Sequence, residues 1–384
     1  MQEQPLKGLK VLELARVLAG PWVGQTLADL GADVIKVESP NGDDTRTWGP
    51  PWIERGDDKS AAYFHSCNRG KRSIALNFKD ADDLETVRQL VKQSDVLVEN
   101  FKLNGLQKYG LDYDSLKAIN PRLIYCSITG FGQNGPYAPQ PGYDFIVQGM
   151  SGMMSITGEP DGQPQKIGTA LADIITGLYA TIGIQAALWQ RERTGQGQQV
   201  DMALLDSMVG VLANQAMNYL ASGTAPTRLG NSHPNICPYQ VLPVKDGHII
   251  LTVGNDSQFR HLAQLLGMEQ IADDERFATN GARVAHRLEL TALLEAEFQK
   301  WEKLKLLDAL HAANVPAGPI NTIDEVFADP QVLARKMALD FDGVPGVRTP
   351  IQFSDATLTF DRPSPKVGEH TQEILNELKA LNDN

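Results

Sequence analysis

Leu9-Lys-Val-Leu-Glu-Leu14, Trp22 to Leu30 and Asp33-Val-Ile-Lys-Val-Glu38 decide the fold. The outer two runs are rich in Val, Ile and Leu and bounded by turn residues, so they read as strands. The middle run has helix length, opens after Gly20-Pro21 and closes at Gly31. Strand, helix and strand at this spacing make a βαβ unit, whose parallel strands are apolar because helices cover both faces of the sheet. The turn after the first strand, Ala15-Arg-Val-Leu-Ala-Gly20-Pro21, lacks the G-x-G-x-x-G pattern. A dinucleotide fingerprint is therefore absent.

The same alternation extends outward. Ser39 to Pro51 is a Gly/Pro/Asp loop, Ser73 to Asn77 a strand, Asp80 to Gln93 an amphipathic helix, and Asp95 to Glu99 and Leu123 to Ile128 further strands. A glycine-rich turn, Thr129 to Pro136, comes next. Gly168 to Trp189 reads as a long apolar helix, Gln198 to Met202 as a short strand and Leu204 to Ala221 as helical. From Ser222 to Tyr239 the chain is punctuated by Gly, Pro, Asn and Ser, as a linker is. Beyond it Val241 to Val253 reads as a hairpin, Gln258 to Leu266, Arg287 to Phe298 and Lys303 to Ala313 as helices, Leu358 to Phe360 as a strand, and Gln372 to Leu381 as a last helix. The expected architecture is α/β: a large domain from residues 1–221 with 330–384, and a linker with a smaller α+β domain at 222–329.

With 384 residues, 42% hydrophobic and 21% charged, the chain suffices for two cores. A net charge of -12 argues against nucleic acid or an anionic membrane as partner. Cys67, Cys126 and Cys237 are odd in number and far apart, which suggests neither disulfides nor zinc. The start, Met1-Gln-Glu-Gln-Pro5, has no basic segment before an apolar one, and a bilayer span of roughly 18 uninterrupted apolar residues is not evident. A cytoplasmic enzyme is expected.

One carboxylate stands at the entrance of the long apolar helix. Asp173 is read first as an N-cap, because Asp accepts the free N–H groups of a first turn and suits the positive end of the dipole. Its second reading is a reacting group, since an ionised carboxylate beside so much apolar surface is costly to desolvate. Arg69, Lys71 and Arg72 precede one strand and Lys102 and Lys108 come after another, with Asn100-Phe101 at a strand's carboxyl end. They read either as a solvated rim or as a cradle for phosphates with a flat base against Phe101. Val253-Gly-Asn-Asp-Ser-Gln258 is either a strand-to-helix turn capped by Asp256 or Ser257 or a loop that covers a site. The seven His residues show no metal-ligand spacing.

Taken together, Leu9-Lys-Val-Leu-Glu-Leu-Ala-Arg-Val-Leu-Ala-Gly-Pro21, Leu30-Gly-Ala-Asp-Val-Ile-Lys-Val-Glu38, Gly42-Asp-Asp-Thr-Arg46, Asn68-Arg-Gly-Lys-Arg-Ser-Ile74, Val98-Glu-Asn-Phe101, Gly142-Tyr-Asp144, Leu171-Ala-Asp173 and Val367-Gly-Glu-His370 resemble the family III CoA-transferases. The resemblance, which spans nearly the whole chain, implies CoA transfer between carboxylic acids through a mixed anhydride and an aspartyl-CoA thioester on Asp173. It implies CoA contacts at Val17, Leu76, Asn100, Phe101, Gly105, Lys108 and Tyr109, to which the basic cluster adds Arg72. It also implies a lid at Gly254, Asn255 and Gln258, an active-site tyrosine at Tyr143, and Leu18 beside the intermediate where other members carry glutamine. Ser39 stands where a CoA-contacting arginine is usual.

The chain most resembles the branch that moves CoA between succinate and glutarate, which makes succinyl-CoA the expected donor and a dicarboxylate the acceptor. The alternative acids are acetyl-CoA or formyl-CoA with oxalate. Arg16, Arg46 and His233 are the candidate anchors for a distal carboxylate. No tightly bound cofactor or metal is expected, CoA thioesters being substrates, and the resemblance implies a homodimer of interlocked rings. The rival readings are an α-methylacyl-CoA racemase, whose base would fall at Tyr143, and a CoA-binding protein without turnover.

Overall fold

The computed structural model describes residues 3–382. They divide into two compact units: residues 3–153, 166–222 and 331–382 form the first, and 154–165 with 223–330 the second. The segment 154–165, read from sequence as part of the large domain, thus belongs to the smaller unit.

The first unit is built on six parallel strands: β1 (Lys10–Glu13), β2 (Asp33–Glu38), β3 (Arg72–Ala75), β4 (Val96–Glu99), β5 (Ile124–Thr129) and β6 (Gln198–Ala203), in the order β3-β2-β1-β4-β5-β6. Alternate residues feed opposite faces, as strand geometry requires. On one face Val11, Val34, Val98, Ile124 and Cys126 meet Val23 and Leu27 of α1 (Ala19–Asp29). On the other, Leu12, Ile74, Leu97 and Tyr125 meet Val87 and Leu90 of α2 (Ala81–Gln93). Two further helices of this unit are α3 (Asp144–Met150) and α4 (Leu171–Thr194). By length and composition α4 could cross a bilayer. Here its Ala180, Ile184 and Ala187 join the core with α1.

Two features depart from the sequence reading. A hairpin, Trp52–Arg55 with Asp58–Ala61, succeeds the loop after β2, and no strand forms at 358–360. There the chain runs extended and its amides find separate acceptors, Thr357 on the Glu3 carbonyl and Thr359 on that of Asp29, so no ladder develops. The returning tail pairs instead at Ala338–Phe341 and Val344–Val347, and its helix Thr371–Asn382 buries Ile374 and Leu378 against the α2 side.

The second unit is a three-stranded antiparallel sheet, Ala317–Pro319, Gly247–Thr252 and Tyr239–Val244, packed on helices Asp256–Leu265, Arg287–Phe298 and Lys303–Ala312. Leu242, Ile249, Leu251, Phe259, Leu262, Phe298 and Leu306 are its core.

Candidate active site

The strand order reverses between β1 and β4, and open α/β sheets bind ligands at the carboxyl ends of the strands that flank such a reversal. Two cavities of the first unit lie there. A cavity of about 160 Å³ is lined by Arg16, Val17 and Leu18 after β1, by Asn100 and Phe101 after β4, and by Tyr143 and Asp173. A second, of about 480 Å³, is lined by Leu14, Arg16, Ser39, Leu76, Phe78, Lys79, Phe101 and Tyr109 among others. Arg16 and Phe101 border both.

Two close approaches bring these residues together. Gly177, one turn past Asp173, lies so near the start of α1 that a Cβ there would stand 2.9 Å from the Ala19 carbonyl. Only glycine lets α4 settle on α1 with Asp173 at the mouth of the β1 turn. Gly142 packs its backbone on that of Gly130 in the turn after β5, so a Cβ on either would overlap the other. That contact delivers Tyr143, 62% exposed, to the same cavity.

Asp173 is not the cap of its helix. Ala170 holds the N-cap position, and the Ala172 N–H donates to Asp144 Oδ1 at 2.8 Å across the gap from α3. Asp144 also accepts from Gln148 Nε2 at 2.9 Å. The first-turn donor thus goes to a neighbour, and the Asp173 carboxylate makes no hydrogen bond or ion pair among the described residues. Burial, and then the Asp144 carboxylate, push its pKa up to about 7. Against the expectation of a dipole-held anion, half of it is protonated near neutrality.

Tyr63, which none of the sequence motifs contained, belongs to this site electrostatically. Burial and then the Asp173 charge raise its phenol above the ordinary range, so it stays a neutral donor, and its ring meets Trp48 edge-on at 5.2 Å. The only sequence signal was the Asp43-Asp-Thr-Arg-Thr-Trp48 loop beside it.

The cationic candidates fare differently. Arg72 has its side chain 7% exposed and is held by Asp33 at 2.6 Å, Glu377 at 2.8 Å and Glu373 at 2.9 Å. Three carboxylates satisfy its fork, so it is not a phosphate anchor. Arg69 is likewise closed on Asp29, and Lys71 on Glu13 at 2.8 Å. Arg46 is buried, bidentate to Glu38 at 2.8 and 3.0 Å, and stacked 3.6 Å over Phe64, which excludes it as a substrate anchor. Arg16 remains half-exposed, paired with Asp44 at 3.1 Å and 5.7 Å over the Phe101 ring. Gly105 borders a small cavity of about 60 Å³ with Phe101, and the Lys108 ammonium lies 4.7 Å over the Tyr109 ring.

In the second unit Asn255, rather than Asp256 or Ser257, caps helix Asp256–Leu265 by accepting the Gln258 N–H at 2.9 Å. Gln258 Oε1 in turn takes the Gly254 N–H at 2.7 Å, which leaves an exposed but internally bonded turn. His233 Nδ1 accepts the Asn235 N–H at 3.1 Å. Burial and Arg287 hold its pKa below the usual range, so it is a neutral imidazole and a poor anion anchor.

The parallel sheet thus carries a lone, high-pKa carboxylate in one cavity at its strand ends and a larger cavity beside it, the arrangement of an enzyme with a carboxylate next to a ligand pocket. The family model for CoA-transferase family III matches residues 6–371, and the chain belongs to that family as a CoA-transferase. It is 60% identical to a succinate–glutarate CoA-transferase of Agrobacterium fabrum, over 99% of this chain and 97% of that protein. It is 41% identical to the human succinyl-CoA:glutarate CoA-transferase, over 99% of this chain and 87% of that protein. An acetyl-CoA:oxalate CoA-transferase of Acetobacter aceti is also 41% identical, over 98% and 96%. The crystal structure of a CaiB/BaiF family protein from Brucella suis superposes with a TM-score of 0.90 at 65% identity, covering 98% of this chain and all of that one.

Proposed function

We propose that the protein moves CoA from succinyl-CoA to a dicarboxylate such as glutarate, with Asp173 as the covalent carrier. The observation that carries this reading is the unpartnered Asp173 carboxylate in the cavity between the β1 and β4 ends. Its raised pKa makes it a stronger nucleophile than an ordinary carboxylate, once ionised. The names of the relatives support the acid pair.

In the first step an Asp173 oxygen attacks the thioester carbonyl, the C–S bond breaks, and CoA leaves as thiolate from a mixed anhydride. The thiolate then attacks the aspartyl carbonyl, the anhydride C–O bond breaks, and succinate departs, leaving CoA as a thioester on Asp173. An acceptor carboxylate runs the two steps in reverse. Once Asp173 is ionised every nucleophile in the cycle is an anion, so neither step transfers a proton. The neutral Tyr63 and the Tyr143 hydroxyl supply donors beside the developing oxyanions, and Leu18 keeps the wall next to the anhydride apolar.

The nucleotide end of CoA belongs in the cavity of about 480 Å³, its base against Phe101 and Tyr109 and its phosphates toward Lys79. The pantetheine arm then passes Asn100 and Val17 to the carbonyl at Asp173. Arg16, bordering both cavities, is the anchor for the distal carboxylate. The lid role of Gly254, Asn255 and Gln258 and the interlocked homodimer rest on the family resemblance, and the exposed apolar Tyr179, Ile182 and Trp189 on one flank of α4 support a second copy there.

The test is the intact mass of the protein after mixing with succinyl-CoA. A CoA-sized adduct that hydroxylamine removes is expected, and Asp173→Ala that still exchanges CoA would end the reading. An acceptor series including oxalate separates the dicarboxylates, and deuterium entering C2 of a 2-methylacyl-CoA in heavy water would favour the racemase.

A further inference from the structure

Five side chains converge on the backbone of one turn. Lys36 and Lys71, both fully buried, share the Glu13 carboxylate at 3.0 and 2.8 Å. Lys36 Nζ also donates to the Ala15 carbonyl at 2.8 Å, and Lys71 Nζ to the Pro21 carbonyl at 2.9 Å. Lys36 pairs with Asp43 at 3.1 Å, and the Asp43 oxygens accept the Val17 N–H at 3.3 and 3.4 Å. The Cys67 thiol donates to the Val17 carbonyl at 3.6 Å. Asn100 closes the set: its Oδ1 accepts the Arg16 N–H at 2.8 Å and its Nδ2 donates to the Arg16 carbonyl at 2.6 Å.

The residue at the centre is in an uncommon conformation. Val17 has φ +69°, the left-handed region that a β-branched side chain adopts only when its surroundings enforce it. A buried ionic cluster is a weak source of stability compared with apolar packing of the same volume, whereas it fixes geometry well. Here each of its cations reaches a carbonyl of the segment that carries Val17 and Leu18 into the Asp173 cavity.

We propose that Asp43 is a positioning residue of the transfer reaction: clamped by Lys36, it holds Val17 left-handed and thereby sets the wall that Val17 and Leu18 present to the Asp173 carboxylate. Asp43 also borders the cavity of about 480 Å³, so an unchanged KM for succinyl-CoA is what separates a positioning role from a substrate contact. This inference rests on Asp173 as the covalent carrier.

The experiment tracks the adduct on Asp173 by rapid quench and intact mass after mixing the full-length protein with succinyl-CoA. In Asp43→Asn, adduct formation slows by roughly ten- to a hundredfold, as misplacement of a reacting geometry does, with KM for succinyl-CoA within about threefold of wild type. Adding Val17→Gly to that variant recovers about fivefold or more, because glycine takes φ +69° without a strut. Thr45→Val removes another bond to Asp43, that of Thr45 Oγ1 at 2.9 Å. It lowers the melting temperature and leaves the adduct rate within about twofold. A folded Asp43→Asn at the wild-type rate, or a glycine without effect in that background, overturns the proposal. Should Asp43→Asn fail to fold, Cys67→Ala, which frees the Val17 carbonyl, decides: a rate lowered by about two- to fivefold supports the strut and an unchanged rate refutes it. Absence of any adduct in the wild type refutes Asp173 as carrier instead.

Discussion

Asp43 and Asp173 are two carboxylates on either side of the same turn, both withdrawn from water, and they end with pKa values on opposite sides of the ordinary one. Burial works upward on Asp43, but Lys36 and the Thr45 donors outweigh it, and the group is held below the usual range. Asp173 has burial and the Asp144 charge acting together, with no cation and no donor, and rises to about 7. The protein thus commits the buried Lys36 to a carboxylate that holds the turn, and places no cation on the one proposed to react. A partnered carboxylate is a strut, and an unpartnered one is a nucleophile with its charge still to be used.

The largest expected effect separates the two outright. Asp173→Ala should lower kcat for CoA exchange by about 10³-fold or more, the scale on which loss of a covalent nucleophile acts, with the melting temperature unchanged or higher. A folded variant with a tenth of the activity would break the comparison. Next comes Lys36→Met, which strands Asp43 in the interior and leaves Glu13 with Lys71 alone. Breaking a buried pair costs about 3–5 kcal/mol, so the urea midpoint should fall accordingly.

The pH dependence is the third test. Asp173 must be ionised to attack, so kcat/KM for succinyl-CoA should decline on the acid side with an inflection near 7, approaching a tenfold loss for each unit below it. Asp144→Asn removes the like charge and should move that inflection down. Stability runs the other way. The folded carboxyl keeps its proton to about pH 7, while the unfolded one releases it near 3.8, so unfolding sheds a proton between these values. Stability therefore decreases as pH rises through that window, and Asp173→Asn flattens the slope. An inflection unmoved by Asp144→Asn would remove Asp144 from the site.

How far the sequence was legible depends on the range of the physics involved. The strands and α1 were readable because Val, Ile and Leu runs with Gly and Pro stops are local signals, and β2 has the bounds the sequence predicts. Asp173 was readable as a lone charge on an apolar helix, but a cap and a third helical residue differ by a few positions, and only the structure separates them. Asp144 lay in the Gly142-Tyr-Asp144 motif, yet its role is a bond to an amide 28 positions away. The cations were illegible for the same reason. A Lys or Arg before a strand looks the same whether it awaits a phosphate or already faces a carboxylate far along the chain. Lys36 and Lys71 vanish into the core with Glu13, even though Lys36 and Glu13 read as ordinary strand residues and Lys71 as a cation ahead of a strand.

Arg72 gives the smallest effect and the sharpest check on that last point. Its partners Glu373 and Glu377 sit 301 and 305 positions away, on the helix of the returning tail. As a phosphate ligand it would carry part of the affinity for CoA, and its loss would raise KM about tenfold or more. As a clasp between β3 and the tail it contributes to stability instead, by about 1 kcal/mol, because its carboxylate partners are half-exposed and screened by solvent. Arg72→Gln should therefore leave KM for succinyl-CoA within about twofold. The same variant should increase hydrogen exchange in Thr371–Asn382, the helix it holds. A raised KM with unchanged exchange would return Arg72 to the substrate and make the two kinds of charged site in this protein harder to tell apart than Asp43 and Asp173 suggest.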